Sequence, residues 1–270
     1  MEIRKVVVTA VEPEDAALVD EAKALWVACF GKELLDELSP QLAGSETEFN
    51  EDVVYIGLEA GRVAATCHLT RSRAIGWAGL GEVATAAEFR GRGFAHTVCK
   101  AALDDFDRSA GEAIWLGTVN PAAASVYASL GFGYLPDTSV MQRLRPDLSP
   151  TAFARRWIDA DGLRIVPGSA AFRIPMIPLL TSKMGVETLD ANVGLVGTEF
   201  RPQHSCMGLY PKYDALTEKG GGWAALVNGR GAVLGLASWL PDADGARRIG
   251  GFCHPSAADW RERLMEAVAK

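Results

Sequence analysis

The feature that most constrains the fold is a glycine-containing loop at residues 90–95, placed between two segments of different periodicity. A strand-like apolar run at 80–85 precedes the loop, and a helix-like run at 93–106 follows it. Glycines at positions 91 and 93 allow a tight turn in which successive backbone N–H groups point at one anion. The helix that starts there adds the positive end of its dipole, which stabilises a negative charge by about 0.3–1 kcal/mol. The sequence therefore predicts a phosphate-binding loop between a strand and a helix.

Composition limits the number of domains and the kinds of partner. The chain has 270 residues, of which 49% are hydrophobic, so we expect two domains rather than one small one. A formal net charge of −7 disfavours nucleic acid or an anionic membrane as a partner, because both are recognised by clustered Lys and Arg. The start of the chain carries no signal-peptide pattern, and no apolar run approaches the length of a membrane span. We expect a cytoplasmic protein that binds neither nucleic acid nor membrane.

The cysteines and histidines do not form a metal-binding pattern. Five cysteines are an odd number, lack the paired spacing of metal ligands and lie mostly in apolar runs. We expect ordinary reduced thiols in the core. His204, Cys206, Cys253 and His254 are too widely separated to suggest a site, so no metal is expected.

The apolar pattern around the loop predicts a mixed α/β sheet of the α+β kind. An opening strand and two helical segments precede a pair of strands, whose connection at 59–62 contains a glycine suited to a hairpin turn. After the loop and its helix come a further strand, a short helix that ends at Gly131, and two closing strands. The predicted strands lie at 53–58, 63–69, 80–85 and 114–119, with the closing pair within 132–144. A phosphate at the loop would lie at the carboxyl end of the 80–85 strand, where open α/β sheets usually bind ligands.

Two motifs resemble those of the GNAT superfamily of acyl-CoA-dependent N-acyltransferases. Arg90-x-x-Gly93-x-Ala95 fits the pyrophosphate loop of that family, and Asn120-x-x-Ala123-x-x-x-Tyr127-x-x-x-Gly131-Phe132 matches its characteristic helix. The two motifs begin about 30 residues apart, in the right order, and the resemblance covers roughly residues 3–145. A Walker-type loop would instead need Gly-x-x-x-x-Gly-Lys-Ser/Thr, and a dinucleotide fingerprint would need three spaced glycines. The resemblance implies a GNAT acyltransferase fold with acetyl-CoA as cosubstrate.

The resemblance also implies how coenzyme A is held. Backbone N–H groups of the loop would bind the diphosphate, namely those of Gly91, Arg92, Gly93, Phe94 and Ala95. Arg90 and Arg92 would serve as supplementary cations. The backbone of Val83, Ala84 and Thr85 would pair with the extended pantetheine arm like an added strand, and one of its N–H groups would polarise the thioester carbonyl.

The resemblance further implies that Tyr127 is the general acid, which protonates the leaving thiolate, a group whose free pKa is near 8.5. The alternative is that Tyr127 is only a packed aromatic side chain on an amphipathic helix. Asn120 would orient the pantetheine or cap the start of the helix, and both roles fit its position.

The acceptor amine has to lose a proton before it attacks. If its pKa is about 10, only about one molecule in a thousand is neutral at pH 7, a handicap near 4 kcal/mol that a base can offset. Glu82 is the best-placed carboxylate, on the strand before the loop and on the same sheet face as Ala84, with water carrying the proton. A glutamate at a strand edge can also be merely solvated. His68 is the second candidate base.

A boundary near Pro146–Pro150 divides the chain into residues 1–147 and 148–270. In the second part, runs at 223–227 and 232–239 joined by a glycine-containing turn repeat the hairpin pattern of the first part. This suggests a smaller, degenerate GNAT-like domain. No Gly-x-Gly loop precedes its helix-like run at 259–269, so we expect the chemistry to be confined to residues 1–147. The second domain would support the first, shape the acceptor pocket or form a homodimer.

The function expected from these residues is N-acetyltransfer from acetyl-CoA to a primary amine of a small molecule or peptide. The attack would be direct, within a ternary complex and without a cysteine intermediate. The alternative is a non-catalytic coenzyme A sensor or interaction module. Transfer to a hydroxyl, or of a longer acyl group, is also compatible with the sequence.

Overall fold

The computed structural model of the chain describes residues 1–8, 11–12, 15–182, 184, 188–196 and 206–270. None of the described helices combines the length and the apolar composition needed to cross a lipid bilayer.

Seven strands form a sheet in the first part of the chain, in a mixed α/β arrangement as predicted. Their bounds are β1 Glu2–Val7, β2 Asn50–Glu59, β3 Arg62–Ser72, β4 Trp77–Thr85, β5 Ala113–Gly117, β6 Gly133–Tyr134 and β7 Val140–Leu144. Their order in the sheet is β1-β2-β3-β4-β5-β7-β6, and β4–β5 is the one parallel pair among them. The strand predicted at 80–85 begins earlier, at Trp77, because Trp77–Gly79 pair with β5. The strand predicted at 114–119 ends earlier, at Gly117, because the chain there turns toward the next helix.

Helices cover both faces of this sheet. The helices of the first part are α1 Ala16–Phe30, α2 Glu33–Leu42, α3 Phe94–Arg108 and α4 Pro121–Ser129. Successive side chains of a strand point to opposite faces, so β2 presents Val54 to the side of α1 and Val53 to the side of α3. On the α1 side, Trp26 is fully buried. On the α3 side, Val98 and neighbouring apolar residues of the helix form a second core.

Strands β4 and β5 diverge after a short stretch of pairing. Trp77–Gly79 pair with Ala113–Trp115, whereas β4 continues to Thr85. Within the described part of the chain, residues 80–85 thus have no ladder partner on the β5 side. The strands are parallel, so their carboxyl ends open at the same edge of the sheet, where α3 and α4 begin.

The second part of the chain contains a four-stranded antiparallel sheet, a two-stranded pair and four helices among its described residues. Its elements are α5 Pro150–Trp157, β8 Arg164–Pro167, α6 Ile177–Leu180, β9 Thr188–Asp190, β10 Leu195–Val196, α7 Tyr210–Glu218, β11 Gly222–Val227, β12 Val233–Pro241, β13 Arg247–Cys253 and α8 Arg261–Ala269. The larger sheet has the order β13-β12-β11-β8. The predicted hairpin, the strand after it and the final helix are therefore present, whereas β8 and α5–α7 were not predicted.

Residues 148–270 pack on the α1-facing side of the first sheet, over β4 and β5. The ring of Phe153 lies 5.3 Å from that of Trp77 and 5.7 Å from that of Trp115, centroid to centroid. Met207 lies so close to Gly79 that a Cβ atom there would collide with its side chain. The two parts of the chain therefore share one apolar core at this face.

A buried ion pair also joins the two parts. Arg173 Nε and Nη2 donate to the two carboxylate oxygens of Glu46 at 2.7 and 2.5 Å, and both side chains are at most 4% exposed. The Arg173 guanidinium also lies 4.2 Å from the ring centroid of Tyr210. Removal of either charge would leave its partner buried and unpaired, which is costly in a low-dielectric interior.

We expect Arg173→Met to lower the free energy of unfolding by about 3–5 kcal/mol, because Glu46 loses the partner of its buried carboxylate. Urea unfolding followed by tryptophan fluorescence measures this. The control is Arg145→Met, which removes the exposed ion pair with Asp147 and is expected to cost about 0–1 kcal/mol. Equal effects of the two substitutions would contradict a structural role for the buried pair.

Candidate functional site

The loop between β4 and α3 has the backbone geometry of an anion cradle. Gly91 and Gly93 have φ angles of +73° and +79°, a conformation that residues with a Cβ rarely adopt. A Cβ added to either glycine would meet no atom within 4 Å, so the space over the loop is open. Gly93 directly precedes α3, whose first N–H groups have no partners within the helix. The loop thus fits a diphosphate group by its open space and its free donors.

The two arginines of the loop have different partners. Arg90 Nε donates to the Thr85 carbonyl at 3.2 Å and so ties the loop to the end of β4. Arg92 forms an ion pair with Glu59 at 2.5 Å, and its guanidinium lies 4.7 Å from the ring centroid of Phe94. The Arg92 side chain is therefore already engaged beside the loop, whereas Arg90 lies at the cavity described next.

A cavity of about 480 Å³ lies between the ends of β4, α1 and α4. Seven predicted site residues line it: Val83, Ala84, Thr85, Arg90, Ala95, Asn120 and Tyr127. The rest of the lining is Ala28, Cys29, Phe30, Ala122, Ala123 and Val126. The wall supplied by the end of α1 was not predicted, because no local motif marks it. The one available signal was the apolar Phe30 next to a helix-ending glycine, and this side chain is 48% exposed.

Asn120 is the N-cap of α4. Its Oδ1 atom accepts hydrogen bonds from the backbone N–H groups of Ala122 at 3.0 Å and Ala123 at 3.5 Å. Pro121 occupies the first helical position, where its missing N–H costs nothing. This cap fixes the start of the helix that carries Tyr127, and Asn120 itself lines the cavity.

Tyr127 points its ring into the core and also lines the cavity. The residue is 7% exposed, and its ring packs edge-on against that of Phe132 at 6.2 Å. Burial raises the pKa of the Tyr127 hydroxyl, and the nearby negative charge of Glu82 acts in the same direction. No hydrogen bond joins this hydroxyl to another described residue. Tyr127 therefore stays protonated at neutral pH with its proton free to be donated, as a general acid requires.

Glu82 lies at a β-bulge in β4. Thr66 pairs with Ala84 and His68 with Gly81, so Glu82 and its neighbour Val83 together oppose one residue of β3. The backbone of Glu82 has a φ of +47°, a conformation that costs a residue other than glycine on the order of 1–3 kcal/mol. The bulge directs the Glu82 side chain to His68, whose Nδ1 lies 2.8 Å from Glu82 Oε2.

Glu82, His68 and Asp52 form a buried charged triad. His68 Nε2 lies 3.0 Å from Asp52 Oδ1, which also accepts hydrogen bonds from Thr70 Oγ1 at 2.7 Å and Gln41 Nε2 at 2.8 Å. Burial opposes the charged form of His68, but the hydrogen bonds to Asp52 and Glu82 outweigh it and raise the pKa of His68 to about 10. In turn, hydrogen bonding and attraction to His68 lower the pKa of Asp52 against the effect of its burial.

The triad distinguishes the chemical states of the two candidate bases, His68 and Glu82. At neutral pH His68 is an imidazolium, which has no lone pair to accept a proton. Glu82 Oε2 is bonded to His68, whereas Oε1 has no hydrogen-bond partner among the described residues, and the side chain retains 10% exposure. Glu82 thus keeps one carboxylate oxygen free to act on an incoming group.

Within the described ranges, no group of three His, Cys, Asp and Glu residues is arranged to hold a metal ion. His204 lies outside the described residues. His254 instead caps the segment after β13, where its Nδ1 accepts a hydrogen bond from the Ser256 N–H at 3.1 Å.

Comparison with known protein families gives a match in the first part of the chain. The model of the acetyltransferase (GNAT) family matches residues 18–132, a range that includes the loop, the Glu82 bulge and Tyr127. No curated protein sequence matches the chain.

Many solved structures match about half of the chain at low identity. Escherichia coli ElaA is 15% identical over 53% of this chain and 99% of its own, with a TM-score of 0.41. Ribosomal-protein-alanine N-acetyltransferase from Brucella melitensis is 15% identical over 54% of this chain and 100% of its own, with a TM-score of 0.40. PaiA N-acetyltransferase from Thermoplasma acidophilum, solved in complex with coenzyme A, is 16% identical over 53% and 98%, with a TM-score of 0.37.

The raised pKa of His68 makes the free energy of unfolding depend on pH. An unperturbed histidine has a pKa of about 6.5, and that of His68 is raised to about 10, so the folded state holds the proton more tightly. The resulting stabilisation is fully present below about pH 6.5 and is lost as pH rises through about 10. We expect the unfolding free energy of the wild type to fall on the order of 4 kcal/mol more than that of His68→Gln over this range. Urea unfolding at half-unit pH steps measures the difference.

If wild type and His68→Gln show the same dependence between pH 6.5 and 10, His68 is not charged in the folded chain. Asp52→Asn gives a second comparison, because it removes one of the two carboxylates around His68 and should reduce the fall in part.

Proposed function

Because residues 18–132 match the model of the acetyltransferase (GNAT) family, we propose that this protein transfers an acetyl group from acetyl-CoA to a primary amine of a small molecule or peptide. The observation that carries the proposal is the cavity at the divergence of β4 and β5. Tyr127, the free end of β4 and the glycine loop meet there, as a thioester with a diphosphate-bearing tail requires.

In this proposal the loop binds the cosubstrate by its backbone. The N–H groups of residues 91–95 hold the diphosphate, with Arg90 beside them. Residues 83–85 have no partner strand on the β5 side among the described residues, so their backbone groups are free to pair with the amide-rich pantetheine arm. One N–H of this segment polarises the thioester carbonyl as negative charge develops on its oxygen.

The reaction would use one base and one acid. Glu82, acting through a water molecule, takes a proton from the acceptor ammonium, and the freed amine attacks the thioester carbonyl carbon. A C–N bond forms as the C–S bond breaks, and Tyr127 donates its proton to the departing sulfur. The amide nitrogen releases a second proton to solvent, Glu82 releases the first, and solvent returns one proton to Tyr127. The net products are the N-acetylated amine, coenzyme A as its thiol and one proton.

We also propose that residues 1–147 and 148–270 are separate domains and that the second borders the acceptor side. Met207 packs over Gly79 of β4, close to the bulge at Glu82. The cytoplasm is the compartment we expect, since the five cysteines are free thiols, as in a reducing environment. A homodimer stays a prediction.

The general-acid role of Tyr127 predicts that Tyr127→Phe lowers kcat by about 100- to 10,000-fold, because the thiolate leaves without a proton. Thiol release from acetyl-CoA with a panel of amines measures kcat, and calorimetry with coenzyme A should give an unchanged Kd. The control is Tyr134→Phe, which removes a half-exposed hydroxyl bonded to the Thr118 carbonyl. Full activity of Tyr127→Phe would overturn the assignment. Tight coenzyme A binding by the wild type without turnover of any amine would support the sensor instead.

The anion cradle predicts that Gly93→Ala weakens coenzyme A binding about tenfold, because a Cβ at this φ forces the loop out of its anion-binding conformation. Gly61→Ala is a matched control. Gly61 has a φ of +77° with no atom within 4 Å of an added Cβ, but it lies in the β2–β3 turn. Both variants should lose about 1–2 kcal/mol of stability, and only Gly93→Ala should lose affinity. Calorimetric titration separates the two, and equal Kd values would refute the cradle.

A further inference from the structure

We propose that His68 and Asp52 are positioning residues that hold the Glu82 carboxylate in place at the acceptor side of the site. The inference rests on the proposed function, because it assigns Glu82 the role of base.

The geometry of the triad is that of a fixed support. His68 uses both ring nitrogens, one for each carboxylate, at 2.8 and 3.0 Å. Its side chain and that of Asp52 are 0% and 1% exposed, so neither is free to turn toward solvent. Asp52 is in turn held by Gln41 of α2 and Thr70 of β3. Three strands and a helix thus fix the position of one glutamate.

The strained backbone of Glu82 needs such a support. A residue other than glycine keeps a left-handed conformation only where its surroundings over-determine it. Thr66 Oγ1 donates to the Glu82 carbonyl at 2.9 Å and accepts from Trp26 Nε1 at 2.8 Å. The ring of Trp26 also stacks on His68, with 6.4 Å between centroids. Backbone and side chain of Glu82 are therefore held from the same side by neighbouring groups.

The triad carries more negative than positive charge. Two carboxylates and one imidazolium formally sum to −1. Two carboxylate oxygens of the triad have no hydrogen-bond partner among the described residues: Asp52 Oδ2, which is buried, and Glu82 Oε1, whose side chain retains 10% exposure. Gln41 and Thr70, which hold Asp52, and Trp26, which stacks on His68, carry no charge. A histidine with both nitrogens protonated does not relay a proton. It donates to Glu82 and Asp52 at once and so holds both, whereas a neutral imidazole can donate to only one of them.

The test is Asp52→Asn, which keeps the hydrogen-bonding shape and removes the charge behind His68. We expect kcat to fall about 100-fold through misplacement of Glu82, with the KM for acetyl-CoA unchanged within about threefold, since Asp52 does not line the cavity. The pH at which kcat declines on the basic side should move at least about one unit lower, because His68 loses its proton sooner. The same acceptor amine is used with both proteins, so its own titration affects the two pH profiles equally.

Asp190→Asn is the matched control. Asp190 is also a buried carboxylate, and it accepts hydrogen bonds from Ser238 Oγ and the Tyr213 hydroxyl. It lies in β9, in the second part of the chain. Its substitution should leave the kcat profile unchanged. If Asp52→Asn changes stability alone, with kcat and its pH profile intact, the triad is only structural and the inference is overturned.

A second measurement does not depend on activity. Imidazole chemical shifts of the full chain, titrated from pH 6 to 10, should show one histidine that stays protonated past pH 8 in the wild type and titrates earlier in Asp52→Asn. Loss of that signal in His68→Gln assigns it. If all histidines of the wild type lose their protons below about pH 7.5, the triad is not charged as proposed. A wild type with the protonated histidine but without turnover of any amine would instead refute the proposed function.

Discussion

The divergence of β4 from β5 is the constraint on which the site depends. Three residues of each strand pair, Trp77–Gly79 with Ala113–Trp115, and the remaining residues of β4 extend without a ladder partner on that side in the described part of the chain. Unpaired backbone groups are costly when buried and useful when a ligand can pair with them. The same divergence opens the cavity and lets α3 and α4 start at one edge of the sheet, so the glycine loop and Tyr127 meet.

The second part of the chain covers part of the α1-facing side of the first sheet. On the α1-facing side of the sheet, α1 and α2 cover β1–β3, while Phe153 and Met207 cover β4 and β5. A sheet face has to be buried by another layer, and a close-packed layer resists collapse. Residues 148–270 thus complete the layer on this side of the sheet, over Trp77, Gly79 and Trp115.

Local signals made the geometry of the glycine loop and the start of α4 predictable from the sequence. Glycines that need positive φ, an Asn-Pro helix start and hairpins with short turns are each encoded within a few residues. The support of Glu82 was not predictable, because it depends on residues 14 and 16 positions from His68 in the sequence that meet through sheet register. The wall formed by the end of α1 and the elements β8 and α5–α7 were missed for the same reason: only tertiary contacts define them.

The chain contains two buried clusters of charged side chains, the Arg173–Glu46 pair and the triad, and they differ in charge balance. Arg173 and Glu46 neutralise each other, and each carboxylate oxygen of Glu46 accepts a hydrogen bond from the guanidinium. The triad is built differently, because it contains one carboxylate more than its imidazolium can neutralise. Buried charge is weak support for stability, since desolvation cancels much of the attraction. An excess negative charge on a strained bulge, with the Glu82 side chain 10% exposed, therefore supports the proposed role of Glu82 as a base better than a purely stabilising role.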